Sequence, residues 1–159
     1  MKKYELTAEF IEKWGKKLFR IKALISFGSV EVGELGGYVE KEDNLAQDGN
    51  AWVYGNARVY GNAEVYGDAE VCGNADYLLI GRIGSRFSFT TFFKNKDKGI
   101  TVSCGCFLGT IAEFRAKVSD THGNNKHAKI YNLAADMAEL QILGEEYFDK
   151  LNTNKSEPF

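Results

Sequence analysis

Apolar and polar positions repeat with a period of six residues between Asn50 and Asp76. Each unit has an Ala, then a Val two positions later, then a corner made mostly of Tyr, Gly and Asn. Alternate residues of a strand face the same side, so we expect the Ala and Val of each unit to point inward together. Gly and Asn tolerate the backbone of a corner. A hexapeptide repeat of this kind predicts a parallel β-helix with three units per coil.

This geometry places residues eighteen positions apart on top of each other. We therefore expect Glu40, Arg58 and Asp76 to stack on the outer surface of one face. We place the β-helix at residues 37–80, with two to three coils. Residues 1–36 then form an N-terminal cap, and residues 81–159 form a C-terminal cap or oligomerisation region. The predicted fold class is mainly β with an α+β cap.

The pattern V-x-G-N-A-x resembles the hexapeptide repeat of left-handed parallel β-helix proteins. The stretches GELGGYVEKEDNLAQDGNAWVYGNA and CGCFLGTIAEFRAKVSDTHG also resemble a group of small hexapeptide-repeat proteins of phages and prophages, whose activity is unassigned. The first resemblance implies a left-handed coil. It also implies an alternative function, because many proteins of this class are acyltransferases that use acetyl-CoA with a His as general base.

The two flanks carry signals of their own. In the N-terminal flank, Thr7 predicts the start of a short helix over residues 8–17, followed by a strand over residues 18–25. In the C-terminal flank, residues 77–80 predict the last stacked strand of the β-helix. Apolar runs at 87–93 and 100–104, separated by a polar turn, predict a β-hairpin.

Two helices are predicted after this hairpin. Thr110 and Glu113 have the spacing of a capping box, and Phe114 and Val118 follow on one face of the first helix. Gly123 predicts its end. A second helix is predicted over residues 125–143, extending toward 151, and the tail at 152–159 is expected to fray.

Charge is unevenly distributed although the net charge is only −2. Residues 37–80 carry two bases and eight acids, whereas the flanks are mildly basic. A general nucleic-acid binder would show a stronger basic face. No apolar run reaches ~20 residues and the N-terminus lacks an apolar signal core, so we expect a cytoplasmic protein without a membrane span.

The predicted hairpin offers the candidate ligand-binding residues. Arginines and lysines are interleaved there with phenylalanines, an arrangement that could stack on a nucleotide base and hold phosphate. The alternative is a hairpin with Phe inside and Lys at its tip for solubility. The candidates are Arg82, Arg86, Phe92 and Lys94.

Other residues suggest an interface, a catalytic base or a metal site. Aromatic residues expected on the outside of the repeat are interface candidates, namely Trp52, Tyr54, Tyr60 and Tyr66. His122 is the candidate catalytic base of the acyltransferase alternative, but it also suits a helix C-terminus. Residue types compatible with zinc occur at Cys104, Cys106, His122 and His127, although Cys-x-Cys is shorter than the usual knuckle.

These observations predict a non-enzymatic, homo-oligomeric binding protein with no required cofactor. By the phage resemblance, it would sequester or block a host protein, such as one used in defence, or a nucleotide signal. The alternative is a CoA-dependent acyltransferase of the hexapeptide-repeat class.

Overall fold

A computed structural model describes residues 1–147 and 149–150, and the chain divides into two compact units, Met1–Asp76 and Tyr77–Phe159. The finer division into a cap, a repeat and a second cap stays a prediction. The fold is mixed α+β, with several small sheets that are mostly antiparallel. Among the helices of the described residues, none has the length and apolar character of a membrane span.

The first unit begins with an antiparallel hairpin. Strands β1 (Tyr4–Lys13) and β2 (Lys16–Ala23) are joined by Trp14 and Gly15, whose φ angles of 51° and 75° are those of a tight hairpin turn. The helix predicted over residues 8–17 is therefore wrong, because this turn lies within it and β1 pairs along β2. The predicted strand over residues 18–25 is confirmed as β2, which begins and ends two residues earlier.

The repeat contributes three strands of two residues each: β4 (Trp52–Val53), β5 (Arg58–Val59) and β6 (Glu70–Val71). The inward positions of the repeat are confirmed over four units, because these side chains are buried: Ala51, Val53, Ala57, Val59, Ala63, Val65, Ala69 and Val71. The fifth alanine, Ala75, is exposed. The repeated Ala and Val positions therefore indicate which side chains of the repeat pack in the core.

The predicted left-handed parallel β-helix is nevertheless wrong as the fold of this protein. Strand β3 (Leu35–Val39) pairs antiparallel with β2, and the parallel pairs β3–β5 and β4–β6 extend over only two residues each. An isolated parallel bridge also joins Leu45 to Val65. The described sheets are otherwise built from antiparallel neighbours, so the fold is not a solenoid.

The predicted stack of Glu40, Arg58 and Asp76 does not form. Arg58 pairs with Tyr38, twenty residues earlier, although β4 and β6 do pair at a step of eighteen. The Glu40 carboxylate instead accepts a hydrogen bond of 2.6 Å from the Gly61 N–H. The Asp76 carboxylate accepts from the N–H groups of Cys72 and Gly73 at 2.8 and 2.9 Å, which closes the end of the repeat.

Two glycines let β3 approach the repeat closely. A Cβ on Gly36 would lie within 3 Å of the Val53 carbonyl oxygen and of the Trp52 ring, and one on Gly37 would meet the Ala57 carbonyl oxygen. Side chains at these positions would therefore separate the antiparallel hairpin from the repeat. Glycine here serves close packing, which is a different role from its corner positions in the hexapeptides.

The N-terminal segment covers the side of the repeat that we expected to face solvent. The Lys3 ammonium donates to the Ala51 carbonyl at 2.8 Å and lies 4.9 Å from the centre of the Phe27 ring. The Tyr4 hydroxyl donates to the Leu45 carbonyl at 2.6 Å, and its ring meets Trp52 edge to face. Lys3, Tyr4 and Trp52 are consequently buried.

The second unit is a four-stranded antiparallel sheet with two helices packed on one face. Its strands are β7 (Tyr77–Ile83), β8 (Ser88–Lys94), β9 (Ile100–Cys104) and β10 (Phe107–Thr110), and each neighbours the next in sequence. The predicted β8–β9 hairpin is confirmed. The assignment of 77–80 to a stacked strand is wrong, because β7 pairs antiparallel with β8.

Both predicted C-terminal helices are present. Helix α1 (Ile111–His122) begins with the expected Thr110–Glu113 capping box and ends at Gly123. Helix α2 (Lys126–Ala138) is capped by Asn125 and continues as a π-helical turn over Glu139–Leu143. The buried Glu139 in this turn pairs with Arg115 of α1 at 3.3 Å, which joins the two helices. The predicted tail at 152–159 lies outside the described residues.

The buried Lys3 makes a pH-dependent contribution to stability that can be measured. Burial lowers the pKa of Lys3 to about 8, against an opposing effect of the Asp48 charge. Between about pH 8 and pH 10 the unfolded chain therefore binds more protons at Lys3 than the folded chain, so this group raises the free energy of unfolding as pH rises. We expect Lys3→Met to remove that rise in urea unfolding measured across this window.

The exposed Lys2, which pairs with Glu42, provides the control variant Lys2→Met. It should keep the wild-type pH slope. The pKa of Tyr4 is raised chiefly by burial, and its opposite contribution begins only near pH 10. Equal slopes for wild type and Lys3→Met would contradict the assignment.

Candidate functional site

A cavity of about 460 Å³ opens in the second unit, where two turns of the sheet meet both helices. Its volume lies within the range of ~300–1,000 Å³ that is usual for small-molecule sites. The β7–β8 turn contributes Ser85 and Arg86, the start of β8 contributes Ser88, and the β9–β10 hairpin contributes residues 104–107. The helices contribute the remainder: Phe114, Lys117, Val118, Thr121, His122 and Tyr131.

The floor of the cavity is aromatic. The Phe114 ring lies 5.8 Å from the Phe107 ring and 5.6 Å from the Tyr131 ring. The His122 ring stacks against Tyr131 at 5.8 Å with an interplanar angle of 28°. Phe114 and Tyr131 are buried in the core, whereas Phe107 and His122 are half-buried. A flat ligand would therefore find ring faces and edges at the bottom of this site.

The rim of the cavity is cationic and rich in hydroxyl groups. Arg86 on the β7–β8 turn and Lys117 on α1 are both exposed, as are the Ser85, Ser88 and Thr121 side chains. None of the described lining residues is Asp or Glu. An anion entering this cavity would thus meet two positive charges without a competing carboxylate from the lining.

Tyr131 connects the floor to the rim. Burial raises the pKa of Tyr131 to about 12, with a further upward effect from Cys104 and a downward effect from the Arg86 charge. The Tyr131 hydroxyl lies beside Gly84, two residues before Arg86 on the β7–β8 turn. The phenol is protonated near neutral pH, as an unperturbed tyrosine also is, and can donate a hydrogen bond to a bound acceptor.

The structure separates the four predicted ligand-binding residues. Arg86 lines the cavity, but the Arg82 guanidinium lies outside the lining, 6.0 Å from the centre of the Phe89 ring. Phe92 is fully buried in the core between sheet and helices, and Lys94 ends strand β8. Residues 90–93 are all buried, so both faces of β8 are covered there, and Phe92 lies inside as the alternative interpretation of the hairpin expected.

The candidate base and the two cysteines do come together. His122, Cys104 and Cys106 all line the cavity, and the His127 ring lies 5.5 Å from the His122 ring. Within residues 1–147 and 149–150, no group of three or more His, Cys, Asp or Glu side chains is placed to hold a metal ion. The four residues considered for zinc therefore form no such group.

The interface candidates of the repeat have unequal exposure. Trp52 is fully buried between the rings of Tyr4 and Phe27, so it provides no outer surface. Tyr54, Tyr60 and Tyr66 are half-buried. The Tyr60 ring packs 5.4 Å from that of Trp14, which is 72% exposed at the tip of the first hairpin. Of this pair, Trp14 provides the exposed aromatic surface and Tyr60 supports it.

Sequence reasoning did not assign the residues that complete the cavity. Lys117 and Tyr131 were placed only on helices, and Phe107 was not placed in a strand. Tyr131 falls within the second predicted helix, and the helical period of the first carries Phe114 to the same interior. The period could not show that the β7–β8 turn brings Arg86 to the same place.

Comparisons with known proteins give no support to a family assignment. No protein-family model matches the chain, and no curated protein matches it. The resemblance to left-handed β-helix proteins, and to the phage and prophage group within it, is therefore corrected on two grounds: the sheets are mostly antiparallel and no family is matched. The assignment of a functional site to this cavity is therefore based on geometry alone.

The position of Tyr131 can be tested through Gly84, which it contacts. A Cβ on Gly84 would collide with the Tyr131 hydroxyl, and the φ of +82° already disfavours a side chain. We expect Gly84→Ala to lower the free energy of unfolding by ~1–3 kcal/mol more than a glycine substitution with backbone strain alone, as overpacking typically does. Urea unfolding followed by circular dichroism measures the difference.

Gly144→Ala is the matched control, because Gly144 has a φ of +91° and open space around its Cβ position. Combining Gly84→Ala with Tyr131→Phe should recover part of the loss but not all of it, since the hydroxyl is the nearest clashing atom and the ring carbon Cζ is the next. If Gly84→Ala costs no more than Gly144→Ala, Tyr131 does not occupy the position described.

Proposed function

We propose that this protein binds a small anionic ligand with an aromatic ring, of the nucleotide class, in the cavity of the second unit. The observation that carries the proposal is the combination of cations at the rim, aromatic rings on the floor and no carboxylate among the described lining residues. This combination matches both parts of a nucleotide, whose phosphate is charged and whose base is flat and apolar on its faces.

Each part of such a ligand has a plausible contact in the cavity. The Arg86 guanidinium can bind a phosphate through two parallel hydrogen bonds, and the Lys117 ammonium adds a second charge. The rings of Phe107 and His122 offer surfaces on which a base can stack, and stacking contributes ~1–3 kcal/mol per base. The Tyr131 hydroxyl and the rim hydroxyls can bind polar edges of the base or sugar.

The proposed activity is binding and sequestration, and it requires no chemical step. The acyltransferase alternative would use His122 as a base toward acetyl-CoA. Since CoA itself contains an adenine nucleotide, acetyl-CoA belongs in the same binding experiment, where turnover distinguishes the two functions. Acetyl transfer by the wild type that is lost in His122→Ala, with acetyl-CoA still bound, would establish the alternative instead.

Removal of the Arg86 charge is the most direct test of the ligand class. We expect isothermal titration of the full chain with a panel of nucleoside mono-, di- and triphosphates and cyclic nucleotides to identify a binder. Arg86→Ala should weaken that binder about tenfold or more, because a hydrogen bond to a charged group contributes ~1.5–3 kcal/mol. Lys117→Ala should act in the same direction, and affinity should fall with added salt.

Two variants provide matched controls. Arg82→Ala removes an arginine four positions away that does not line the cavity, and Lys129→Ala removes an exposed lysine of α2 that does not line it either. Both should leave the affinity unchanged. The proposal is overturned if no nucleotide in the panel binds, or if the control variants weaken binding as much as Arg86→Ala.

A protein interface remains the second candidate, and the exposed Trp14 against Tyr60 favours it. Large exposed aromatic side chains are typical of contact surfaces. We propose a second copy of this chain as the partner. Sedimentation equilibrium should give a mass above that of one chain, and Trp14→Ser should reduce it. Phe87→Ser, which removes an aromatic residue 70% exposed in the second unit, is the control and should not. A monomeric wild type would contradict self-association.

A further inference from the structure

We propose that Cys104 and Cys106 form an intramolecular disulfide when the protein meets a disulfide oxidant such as glutathione disulfide. The segment 104–106 is then a site of reversible oxidation at the edge of the cavity. The proposal stands on the geometry of one turn and on the positions of two thiols. It does not require that the cavity bind a nucleotide.

The β9–β10 turn places the two cysteines two positions apart on a tight bend. Cys104 pairs with Phe107 across the hairpin, so Gly105 and Cys106 form a two-residue turn between them. Gly105 has a φ of +59°, as the first central residue of a type II′ turn does. Two positions along a chain span at most about 7 Å, and a turn brings them closer, whereas disulfides have Cα separations of about 4.4–6.8 Å.

The two thiols face the same space. Both cysteines line the cavity, and all three cysteines of the chain are unbridged. Cys106 is exposed and Cys104 is half-buried. The Thr90 hydroxyl donates a hydrogen bond of 3.2 Å to the Cys104 sulfur, and the Tyr131 hydroxyl lies 4.0 Å from it. These contacts hold the Cys104 sulfur on the cavity side of the sheet.

The difference in exposure sets the order of the two exchange steps. The Cys106 sulfur, after loss of its proton, attacks one sulfur of glutathione disulfide, so that a mixed disulfide forms and one glutathione leaves and takes up a proton. The Cys104 sulfur, after loss of its proton, then attacks the Cys106 sulfur and displaces the second glutathione, which is protonated in turn. The protein dithiol loses two electrons and two protons, and glutathione disulfide is reduced to two glutathione thiols.

Cys72 provides an internal comparison. It is exposed in the first unit and has no second cysteine near it in sequence. The same oxidant can therefore leave a mixed disulfide at Cys72, because the first unit contains no second cysteine to displace the glutathione. A single treatment with glutathione disulfide thus distinguishes one reactive thiol, Cys72, from the pair of thiols at Cys104 and Cys106.

The experiment is oxidation of the full folded chain with glutathione disulfide, followed by alkylation of remaining thiols, trypsin digestion and mass spectrometry. Cleavage after Lys98 and Arg115 releases both cysteines in the single peptide 99–115. We expect this peptide to lose two hydrogens and to resist alkylation, while the peptide containing Cys72 gains one glutathione. Thioredoxin or dithiothreitol should restore both peptides.

Single substitutions test the order of events and remain informative if one variant folds poorly. In Cys104→Ser, glutathione should stay on Cys106, and Cys72→Ser should leave the oxidation of peptide 99–115 unchanged. Circular dichroism melting verifies the fold of each variant. The proposal is overturned if the wild-type peptide 99–115 keeps two alkylatable thiols while Cys72 reacts, or if it accumulates glutathione without losing two hydrogens.

Discussion

The packing of Phe114 and Tyr131 against the antiparallel sheet is the contact on which the candidate site depends. Phe114 meets Phe92 from the sheet, Phe107 from β10 and Tyr131 from α2. Tyr131 lies against Gly84 of the β7–β8 turn and near the Cys104 sulfur. Because these rings join both helices to two separate turns, the cavity exists only when the whole second unit is packed.

This arrangement explains how the second unit can have a cavity with a cationic rim and still keep a continuous apolar core. The apolar side chains of the sheet and helices form one continuous cluster, whereas Arg86 on the β7–β8 turn and Lys117 within α1 are exposed, so their charges remain hydrated. The buried Glu139 pairs with Arg115 away from the cavity lining. The charges of Glu139 and Arg115 are therefore paired with each other, whereas those of Arg86 and Lys117 remain available at the rim of the cavity.

The first unit also depends on contacts between distant parts of its chain, because the N-terminal segment covers the repeat. The repeat buries its Ala and Val columns, but its strands are only two residues long and cannot form a sheet on their own. The N-terminal hairpin supports the repeat through β3, which pairs antiparallel with β2 and parallel with β5. Lys3 then donates a hydrogen bond to the Ala51 carbonyl of the repeat, and Tyr4 donates one to the Leu45 carbonyl before it. These two residues cover Trp52, which is why Trp52 is buried rather than exposed.

Several local signals in the sequence determined local structure correctly, although the helix predicted from Thr7 over residues 8–17 is a β-hairpin. The Thr110 capping box, the stop at Gly123, the β8–β9 hairpin and the buried columns of the repeat all depend on neighbours within a few residues, and each was predictable for that reason. Only the tertiary structure decided which strands became partners, since Arg58 lies opposite Tyr38 rather than Glu40. It alone also brought Arg86, Lys117 and Tyr131 to one cavity, because no sequence period relates residues on a turn and two helices.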